Sequence, residues 1–423
     1  MSSSIAESGG AGPPDRAPGE AAVPGRPLRG ASERSGARGR PLRVAVVGVS
    51  TDPLTCGVRD HASLLARALP EQSVTCTLHW LSREQRSLAG SRRELGAWTW
   101  RLGRELEQAR PDAVLLHYSV FTSSFRGVPL FVPAVLRAVR GGGAPRAANA
   151  PLVTFLHEYA YPWGREGARG LVWALTQRAF LLEVARASDA LIVTAGFRAE
   201  QLAARRWLPR RRIEVAPVFS NLPAPHAPKV TGDSGRATLG LFGYASEATE
   251  LELVLDALRS LRAERRAVEL RLLGAPGADS DAGRAWAAAA AQRGLADSLS
   301  FSGMLSAQDL SDALASCDAL LFADPTGPTS RKTTLAASLA SGSPVVAIDG
   351  PHRWRELADA GAARIVAPDA PALAGVLGGL LDDPAARAGL GERGREFARS
   401  QMSVESAAQV VARLLRAIAP GQP

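Results

Sequence analysis

The stretch LRVAVVGVSTDPLTCGVRDHASLLARAL, residues 42–69, decides the fold class. Its start, 42–47, is short, largely apolar and rich in Val, which is typical of a strand that is covered on both faces of a parallel sheet. A loop of small and polar residues follows, and a helical pattern begins at Gly57. A strand, a loop and a helix in this order predict the first βα unit of a doubly wound α/β fold.

The same alternation recurs in two halves of the chain, residues 41–216 and 237–400. It predicts two doubly wound, Rossmann-like domains, each with a parallel sheet. We predict strands at 42–47, 74–78, 113–116, 152–156, 190–194 and 213–215, and in the second half at 238–242, 269–273, 299–302, 319–322, 345–347 and 364–366. Helices of the second half are predicted at 247–263, 281–293, 306–315, 330–341, 370–381 and 383–399.

Three further segments flank or separate these halves. Residues 1–40 are rich in Gly, Pro, Ser, Ala and Arg, so they bury too little apolar surface to order and are predicted to be a disordered tail. Residues 217–236 are proline-rich and aperiodic, as an inter-domain linker is. Residues 401–423 contain a last helical pattern, SVESAAQVVARLLRAI, which we expect to return to the N-terminal domain.

Composition limits the partners that the chain can be expected to have. Its 423 residues carry a formal net charge of +9. The basic cluster RRWLPRRR, residues 205–212, is either a solvated loop or a patch for anionic lipid head groups or an acidic partner. Nucleic acid is not an expected partner, because the sequence has no zinc-ligand spacing, no aromatic-rich sheet signature and no single basic helix.

Cysteine usage and hydropathy indicate the compartment. Cys56, Cys76 and Cys317 show neither C-x-x-C spacing nor an even number, so they are typical of reduced thiols. The N-terminus lacks the apolar stretch of a secretory signal, and no apolar run reaches the ~18–20 residues that span a bilayer. We expect a cytoplasmic protein, with peripheral contact through the Arg-rich patches at the cytoplasmic membrane face as an open alternative.

The loops that leave the predicted strands are the candidate site, because ligands of open parallel sheets bind beyond the carboxyl ends of the strands. Gly57 opens a helix where the backbone either approaches a ligand closely or makes a plain turn. In the second half Gly243 ends the first strand within LFGYASEATE, residues 241–250. Glu247 and Glu250 stand there instead of the Arg or Lys that a phosphate would favour.

Histidines and aromatic residues follow two strands of the first half. LVTFLHEYAYPWG, residues 152–164, places His157 and Glu158 just past an apolar strand, and His117 ends the preceding strand in the same way. An imidazole can donate a hydrogen bond to a sugar hydroxyl or a phosphate. Tyr159, like Tyr161 and Trp163, can stack on a sugar face. The alternative is a packed loop in which each His is satisfied by the backbone.

The strongest candidate is LLFADPTGPTSRKTTLAASLASGSPVVAIDG, residues 320–350. Thr329 or Ser330 is placed to cap a helix whose first turn holds Arg331, Lys332 and Thr333. Cations are unfavourable at the positive end of a helix dipole unless an anion lies between them and the free N–H groups. A diphosphate meets that demand, whereas the alternative is a pair of solvated basic residues.

From these motifs the chain resembles the retaining GT-B glycosyltransferases, a family that includes many bacterial hexosyl- and mannosyltransferases. The tail LAASLASGSPVVAIDG (335–350) is the most specific match. LRLLGAPG (270–277), with Gly274 beside the nucleotide base, GVRDHASLLARAL (57–69) and FLHE (155–158) match in the same order. The resemblance spans residues 42–418 and implies an acceptor domain and a nucleotide-sugar domain that face a central cleft.

The resemblance implies transfer of a sugar from a nucleoside diphosphate-sugar to an unidentified acceptor, which is a glycan, a lipid or a small molecule. His157 would orient the sugar, with His117, Glu158 and Tyr159 on the acceptor side. The family's two glutamates, eight positions apart, are replaced here by Thr329 and Ala337.

We infer that the segment TSRKTT takes over the diphosphate role, through Ser330, Arg331 and Lys332, and we expect neither a metal nor a cofactor. Two alternatives remain: a non-catalytic GT-B binding or partner protein that has lost the glutamates, and a GT-B nucleotide-sugar epimerase or hydrolase.

Overall fold

The computed structural model describes residues 40–50, 56–85, 87–122, 124–141, 150–160, 167–226, 235–245 and 249–419. All of these belong to one compact unit. The predicted tail up to residue 39, the two aromatic residues Tyr161 and Trp163, and Glu247 lie outside the described residues.

The first sheet has six parallel strands in the order β2-β1-β3-β4-β5-β6. They are β1 (Leu42–Ser50), β2 (Val74–Ser82), β3 (Ala113–Ser119), β4 (Leu152–Glu158), β5 (Ala190–Val193) and β6 (Arg212–Val215). All residues of β1 except Arg43 are buried, as expected of a central strand with helices on both faces. The flanking helices are α1 (Gly57–Ala68), α2 (Leu88–Ala109), α3 (Val132–Val139), α4 (Gly167–Ala187) and α5 (Gly196–Ala203).

The second sheet is also parallel and six-stranded, in the order β12-β11-β10-β7-β8-β9. Its strands are β7 (Ala237–Phe242), β8 (Val268–Leu273), β9 (Leu299–Phe301), β10 (Ala319–Phe322), β11 (Val345–Ile348) and β12 (Arg364–Val366). Its helices are α6 (Leu251–Ala263), α7 (Asp281–Gln292), α8 (Ala307–Ser316), α9 (Thr333–Ala340), α10 (Arg355–Asp359), α11 (Ala370–Asp382) and α12 (Pro384–Gln401). The predicted α/β class and the two doubly wound sheets are confirmed.

The strands of the first sheet run on beyond their apolar cores. The sequence placed His117 and His157 at the ends of strands or just past them, but both lie within β3 and β4. Backbone pairing continues into these polar residues, because His117 pairs with Gly48 on one side and Phe155 on the other. The β3–β4 register shifts between Tyr118 and Ser119, so that His157 is the extra residue of a bulge. Bulges commonly redirect a side chain beside a functional site.

A last helix, α13 (Val404–Ile418), packs on the first sheet rather than on the second. Its buried face, which includes Val411 and Leu415, lies in one cluster with Leu65 of α1 and Val44 of β1. The segment between the sheets is also packed where it is described: Val218 and Phe219 are buried, and Ser311 donates a hydrogen bond to the carbonyl of Pro223. The end of the chain therefore contributes to the core of its beginning.

Replacing Leu415 by Ala is expected to lower the free energy of unfolding by about 2–5 kcal/mol, because it leaves a cavity between α13 and the first sheet. Urea denaturation measures this change. Arg413→Ala, on the exposed side of the same helix, is the control and should cost no more than about 0.5 kcal/mol. Equal losses for the two variants would show that α13 does not belong to this core.

Candidate functional site

The strand order defines one candidate crevice in each sheet. In the first sheet β1 lies between β2 and β3, so the strand order reverses direction at β1. In the second sheet β7 lies between β8 and β10, so the order reverses at β7. Ligands of open α/β sheets bind at such switch points, outside the carboxyl ends of the strands. His117 and His157 lie at the first switch point, and Gly243 and the loop before α9 lie at the second.

A cavity of about 190 Å³ occupies the switch point of the second sheet. Its lining comes from the end of β7, the end of β10 and the start of α9: Leu241, Phe242, Gly243, Thr249, Phe322, Ala323, Asp324, Arg331, Lys332, Thr333 and Thr334. Gly243 has a φ of +83°, and a Cβ on it would lie 2.8 Å from Thr334 Cγ2. Only glycine therefore allows this turn to approach α9 so closely.

The helix of the strongest sequence motif starts later than the sequence predicted. Helix α9 begins at Thr333, and its N-cap is Lys332, which makes no side-chain cap hydrogen bond. The prediction that Thr329 or Ser330 caps the helix is wrong. The amides of the first turn thus have no side-chain cap and face the cavity end of the loop, where a helix N-terminus favours an anion.

Neither Ser330 nor Thr329 lines the cavity, and Ser330 holds the loop against the first half of the chain. Ser330 is 2% exposed, and its hydroxyl donates a 2.8 Å hydrogen bond to the carbonyl of Thr194. The amide of Val218 donates to the carbonyl of Ser330 at 2.9 Å. Thr329 is buried too. These contacts correct the expectation that the two hydroxyls touch a diphosphate, because both are turned into the protein.

Arg331 and Lys332 line the cavity, and each has a carboxylate partner. Lys332 Nζ lies 2.6 Å from Asp324 Oδ2. Burial by itself would raise the pKa of Asp324, but hydrogen bonds from Lys332 and Thr326 hold that pKa below its usual value. Arg331 lies 3.0 Å from Glu158 Oε1. The positive charges of Arg331 and Lys332, for which the sequence alone indicated no partner, are thus partly neutralised by Glu158 and Asp324.

Glu158 joins the two sheets through two arginines. Its second oxygen lies 2.6 Å from Arg198, whose side chain is 8% exposed and which also donates to the carbonyl of His157. Arg331 contacts the first oxygen from the other half of the chain. The end of β4, the start of α5 and the loop before α9 therefore meet at one carboxylate.

Three histidines cluster at the switch point of the first sheet. His117 Nδ1 lies 2.9 Å from His157 Nε2, and the ring of His61, from α1, stands nearly perpendicular to that of His157 at 5.0 Å between centroids. Burial lowers the pKa of His61 to about 3. Burial, with the neighbouring imidazoles, also holds the pKa values of His117 and His157 well below the usual range. All three rings are therefore neutral at physiological pH.

Among the other acceptor-side candidates, Tyr159 is not available to a sugar. It is 7% exposed, belongs to the core cluster of the first sheet and places its hydroxyl 3.5 Å from Gln201 Oε1. A ring with so little exposed surface cannot stack on a ligand, so the predicted stacking role of Tyr159 is wrong. His117 is also buried, and its Nδ1 lies 2.9 Å from Nε2 of His157.

The remaining two glycine candidates differ in their surroundings. Gly57 starts α1, and a Cβ placed on it would lie more than 4 Å from the rest of the described residues. Gly274 has a φ of +84° and donates from its amide to Ser302 Oγ at 2.9 Å. It does not line the cavity that Gly243 lines.

Sequence reasoning missed His61, Asp324 and Arg198. Asp324 carried a usable signal, because it is the first charged residue after the buried strand β10. His61 is one helical turn beyond Gly57, on the same end of α1. For Arg198 we find no signal in the sequence.

Part of the basic cluster is used inside the fold. Arg211 donates to the carbonyls of Ala185 and Arg186 at the end of α4, and Arg212 pairs with Glu214 at 2.8 Å. In the described part of the chain no helix combines the length and apolarity needed to cross a bilayer.

Comparison with known proteins agrees with this architecture. Residues 236–383 match the family model described as "Glycosyl transferases group 1". A glycosyltransferase from Rickettsia africae ESF-5 superposes with a TM-score of 0.64 at 12% identity, covering 90% of this chain and 99% of that chain. Sucrose-phosphate synthase from Thermosynechococcus elongatus gives 0.62 at 16% identity and covers 89% and 99%.

A third solved structure is Anabaena HepE in complex with UDP and glucose, with a TM-score of 0.60 at 16% identity, covering 89% of this chain and all of that one. Identities this low show the fold alone, and the fold is that of the GT-B glycosyltransferases. A comparison with curated proteins gave no match.

Glu158→Gln keeps the shape of the side chain and removes its charge. We expect it to lower the free energy of unfolding by about 1–3 kcal/mol, because the buried Arg198 loses its charged partner. The matched control is Glu214→Gln, which breaks a more exposed pair with Arg212 and should cost about 0–1 kcal/mol. Urea denaturation of both variants checks the difference, and equal costs would contradict a structural role for Glu158.

Proposed function

We propose that this chain is a glycosyltransferase that moves a sugar from a nucleoside diphosphate-sugar to an acceptor, and that Arg331 and Lys332 bind the diphosphate. The observation that carries the proposal is the cavity at the second switch point, where both cations and the uncapped start of α9 converge. Such a start presents free N–H groups to an anion. The glycosyltransferase match of residues 236–383 covers this cavity.

The charge balance of the described residues around Glu158 supports an anionic ligand. Three cations, Arg198, Arg331 and Lys332, stand against two carboxylates, Glu158 and Asp324, which leaves one positive charge beside the helix N-terminus. The carboxylates hold the two lining cations in place before a ligand arrives. A diphosphate would then add acceptor oxygens to cations that have already lost most of their rotational freedom.

In the proposed reaction the bond between the sugar's anomeric carbon and the diphosphate breaks, and a nucleophilic atom of the acceptor bonds to that carbon and gives up its proton to the departing diphosphate. Negative charge develops on the diphosphate as it leaves. Arg331, Lys332 and the α9 amides stabilise this charge, and electrostatic stabilisation of this kind is often the largest single contribution to catalysis. Because these groups neutralise the phosphates directly, the proposal needs no metal ion at the diphosphate. Retention of the anomeric configuration is proposed from the resemblance to the retaining enzymes.

The donor sugar is proposed to lie toward His157. This residue is the half-buried member of the histidine cluster, it is redirected by the β4 bulge, and it precedes the carboxylate that contacts Arg331. A sugar attached to a diphosphate on α9 would therefore reach it first, and Gly57 would let the backbone approach that sugar closely. HepE, which has the same fold, holds UDP and glucose. We propose a UDP-hexose as the first donor to test.

One observation favours a second candidate function, a nucleotide-sugar-binding protein without transfer activity. The positions of the family's paired glutamates hold Thr329 and Ala337, and both are buried, so neither can reach a donor ribose or sugar. An epimerase or hydrolase of nucleotide-sugars is the other alternative. Transfer, donor hydrolysis and epimerisation assays on one protein sample with UDP-, GDP- and ADP-sugars separate the three.

Arg331→Ala and Lys332→Ala are each expected to weaken nucleotide binding by about 10- to 100-fold, which corresponds to ~1.4–2.8 kcal/mol for a lost charge-assisted hydrogen bond. Calorimetry with UDP, GDP and ADP measures the affinity, and circular dichroism checks that the fold is kept. Arg364→Ala removes an exposed Arg from β12 of the same half and is the matched control. If nucleotide affinity is unchanged in both cavity variants, the diphosphate does not bind at this loop.

His157→Ala is expected to lower turnover by up to about 100-fold while the donor dissociation constant stays nearly the same, because the side chain orients the sugar and not the nucleotide. Steady-state rates and calorimetry on the same preparation separate these quantities. His226→Ala, at an exposed His paired with Asp312, is the control and should leave both unchanged. If the His157 variant turns over at the wild-type rate, His157 does not orient the sugar.

A further inference from the structure

The histidines of this chain are distributed unevenly. It has six, and three of them, His61, His117 and His157, come from α1, β3 and β4 to one point beneath the cleft. One nitrogen of each lies within 4.8 Å of the others, and no other such group of metal-ligating side chains occurs among the described residues. The other three, His79, His226 and His352, instead contact Glu105, Asp312 and Phe197 respectively.

Within the described part of the chain, three of the six imidazole nitrogens in the cluster lack a hydrogen-bond partner. Among the described residues neither Nδ1 nor Nε2 of His61 has one, and Nε2 of His117 has none, although all three atoms are buried. A neutral imidazole needs one acceptor for its N–H and one donor or cation for its lone pair. A buried polar group left without a partner destabilises the fold. Three such atoms lie together here, next to the proposed sugar site.

We propose that His61, His117 and His157 form a binding site for a divalent transition-metal ion, with Zn²⁺ as the ion that best fits three neutral imidazoles. Imidazole nitrogen suits zinc, copper and nickel, whereas Mg²⁺ and Ca²⁺ prefer oxygen ligands, which the cluster does not offer. The inference goes beyond the proposed sugar transfer and does not depend on it.

The geometry needs only side-chain adjustment. Tetrahedral zinc with bonds of about 2.0–2.1 Å separates its nitrogen ligands by roughly 3.4 Å. The nitrogens of His117 and His157 are 2.9 Å apart, so zinc binding would move them slightly farther apart. The nitrogens that are farthest apart in the cluster, within 4.8 Å of each other, would move closer together. The ring of His61 meets those of His117 and His157 at 61° and 84°, whereas the rings of His117 and His157 are inclined to each other by 25°. His61 therefore approaches the cluster from a different direction than the other two rings.

Aromatic side chains surround the three imidazoles. Phe219 stacks on His61 at 4.5 Å, and Phe155 lies parallel to His117 and to His157 at 5.3 Å and 4.8 Å, so aromatic rings fix the imidazole planes. Three ligands leave a fourth position open, which is the pattern of exchangeable zinc sites. His157 is the least buried of the three, so water would reach that position from its side.

The test uses the full chain, stripped of metal with a chelator and titrated with ZnCl₂ against a competing zinc indicator. One equivalent is expected to bind. His61→Gln and His117→Gln should each weaken binding at least ~10-fold, the lower end of the loss seen when even an outer-shell partner is removed. His226→Gln is the matched control and should bind as the wild type does.

A second measurement avoids dependence on the variants. X-ray absorption of the zinc-loaded wild-type protein is expected to show three nitrogen ligands at about 2.0–2.1 Å. The proposal is overturned if the wild type binds no zinc in excess metal, if the absorption shows fewer than three imidazoles, or if zinc binding survives both substitutions. None of these readouts measures sugar transfer, so failure here and failure of the proposed function are distinguishable.

Discussion

The carboxylate of Glu158 is the point on which the arrangement of both switch points depends. It receives Arg198 from its own sheet and Arg331 from the other, and the Ser330–Thr194 and Val218–Ser330 hydrogen bonds lie directly beside it. The Arg331 pair is partly exposed and by itself contributes little to stability. Its effect is geometric, because it sets the loop before α9 against the end of β4.

That constraint determines how the loop can meet a ligand. Since Glu158 and Asp324 already occupy one side of Arg331 and Lys332, an anion in the cavity has to share these cations or displace a carboxylate. Sharing costs affinity relative to bare cations but saves the entropy of ordering two long side chains. The two carboxylates also nearly neutralise the charge of Arg331 and Lys332 when no ligand is bound. This explains how two cations can lie at a helix N-terminus that would otherwise repel them.

Local patterns in the sequence predicted the twelve strands, because each strand has an apolar core that needs no distant partner to be identified. Local patterns gave wrong predictions where contacts between residues that are distant in the sequence determine the structure. Helix α9 starts at Thr333 because Ser330 is bound to Thr194 and Val218, which no local rule reveals. Tyr159 is core rather than surface because α5 covers it. His61 joined the site only through the convergence of three elements, and no spacing motif records that convergence.

The two switch points differ in chemistry, and this difference gives the cleft a direction. The second sheet presents charged groups, with Arg331 and Lys332 at the helix start, while the first presents neutral imidazoles backed by Phe155 and Phe219. In the metal-free protein, a ligand with a charged diphosphate and a neutral sugar can satisfy both sides in one orientation only, because the reverse would bury phosphate charge against apolar rings. Thr329 and Ala337 are uncharged and buried, so they bring no negative charge to the side of the second sheet. Donor orientation would then follow from the contrast between the sheets rather than from any single contact.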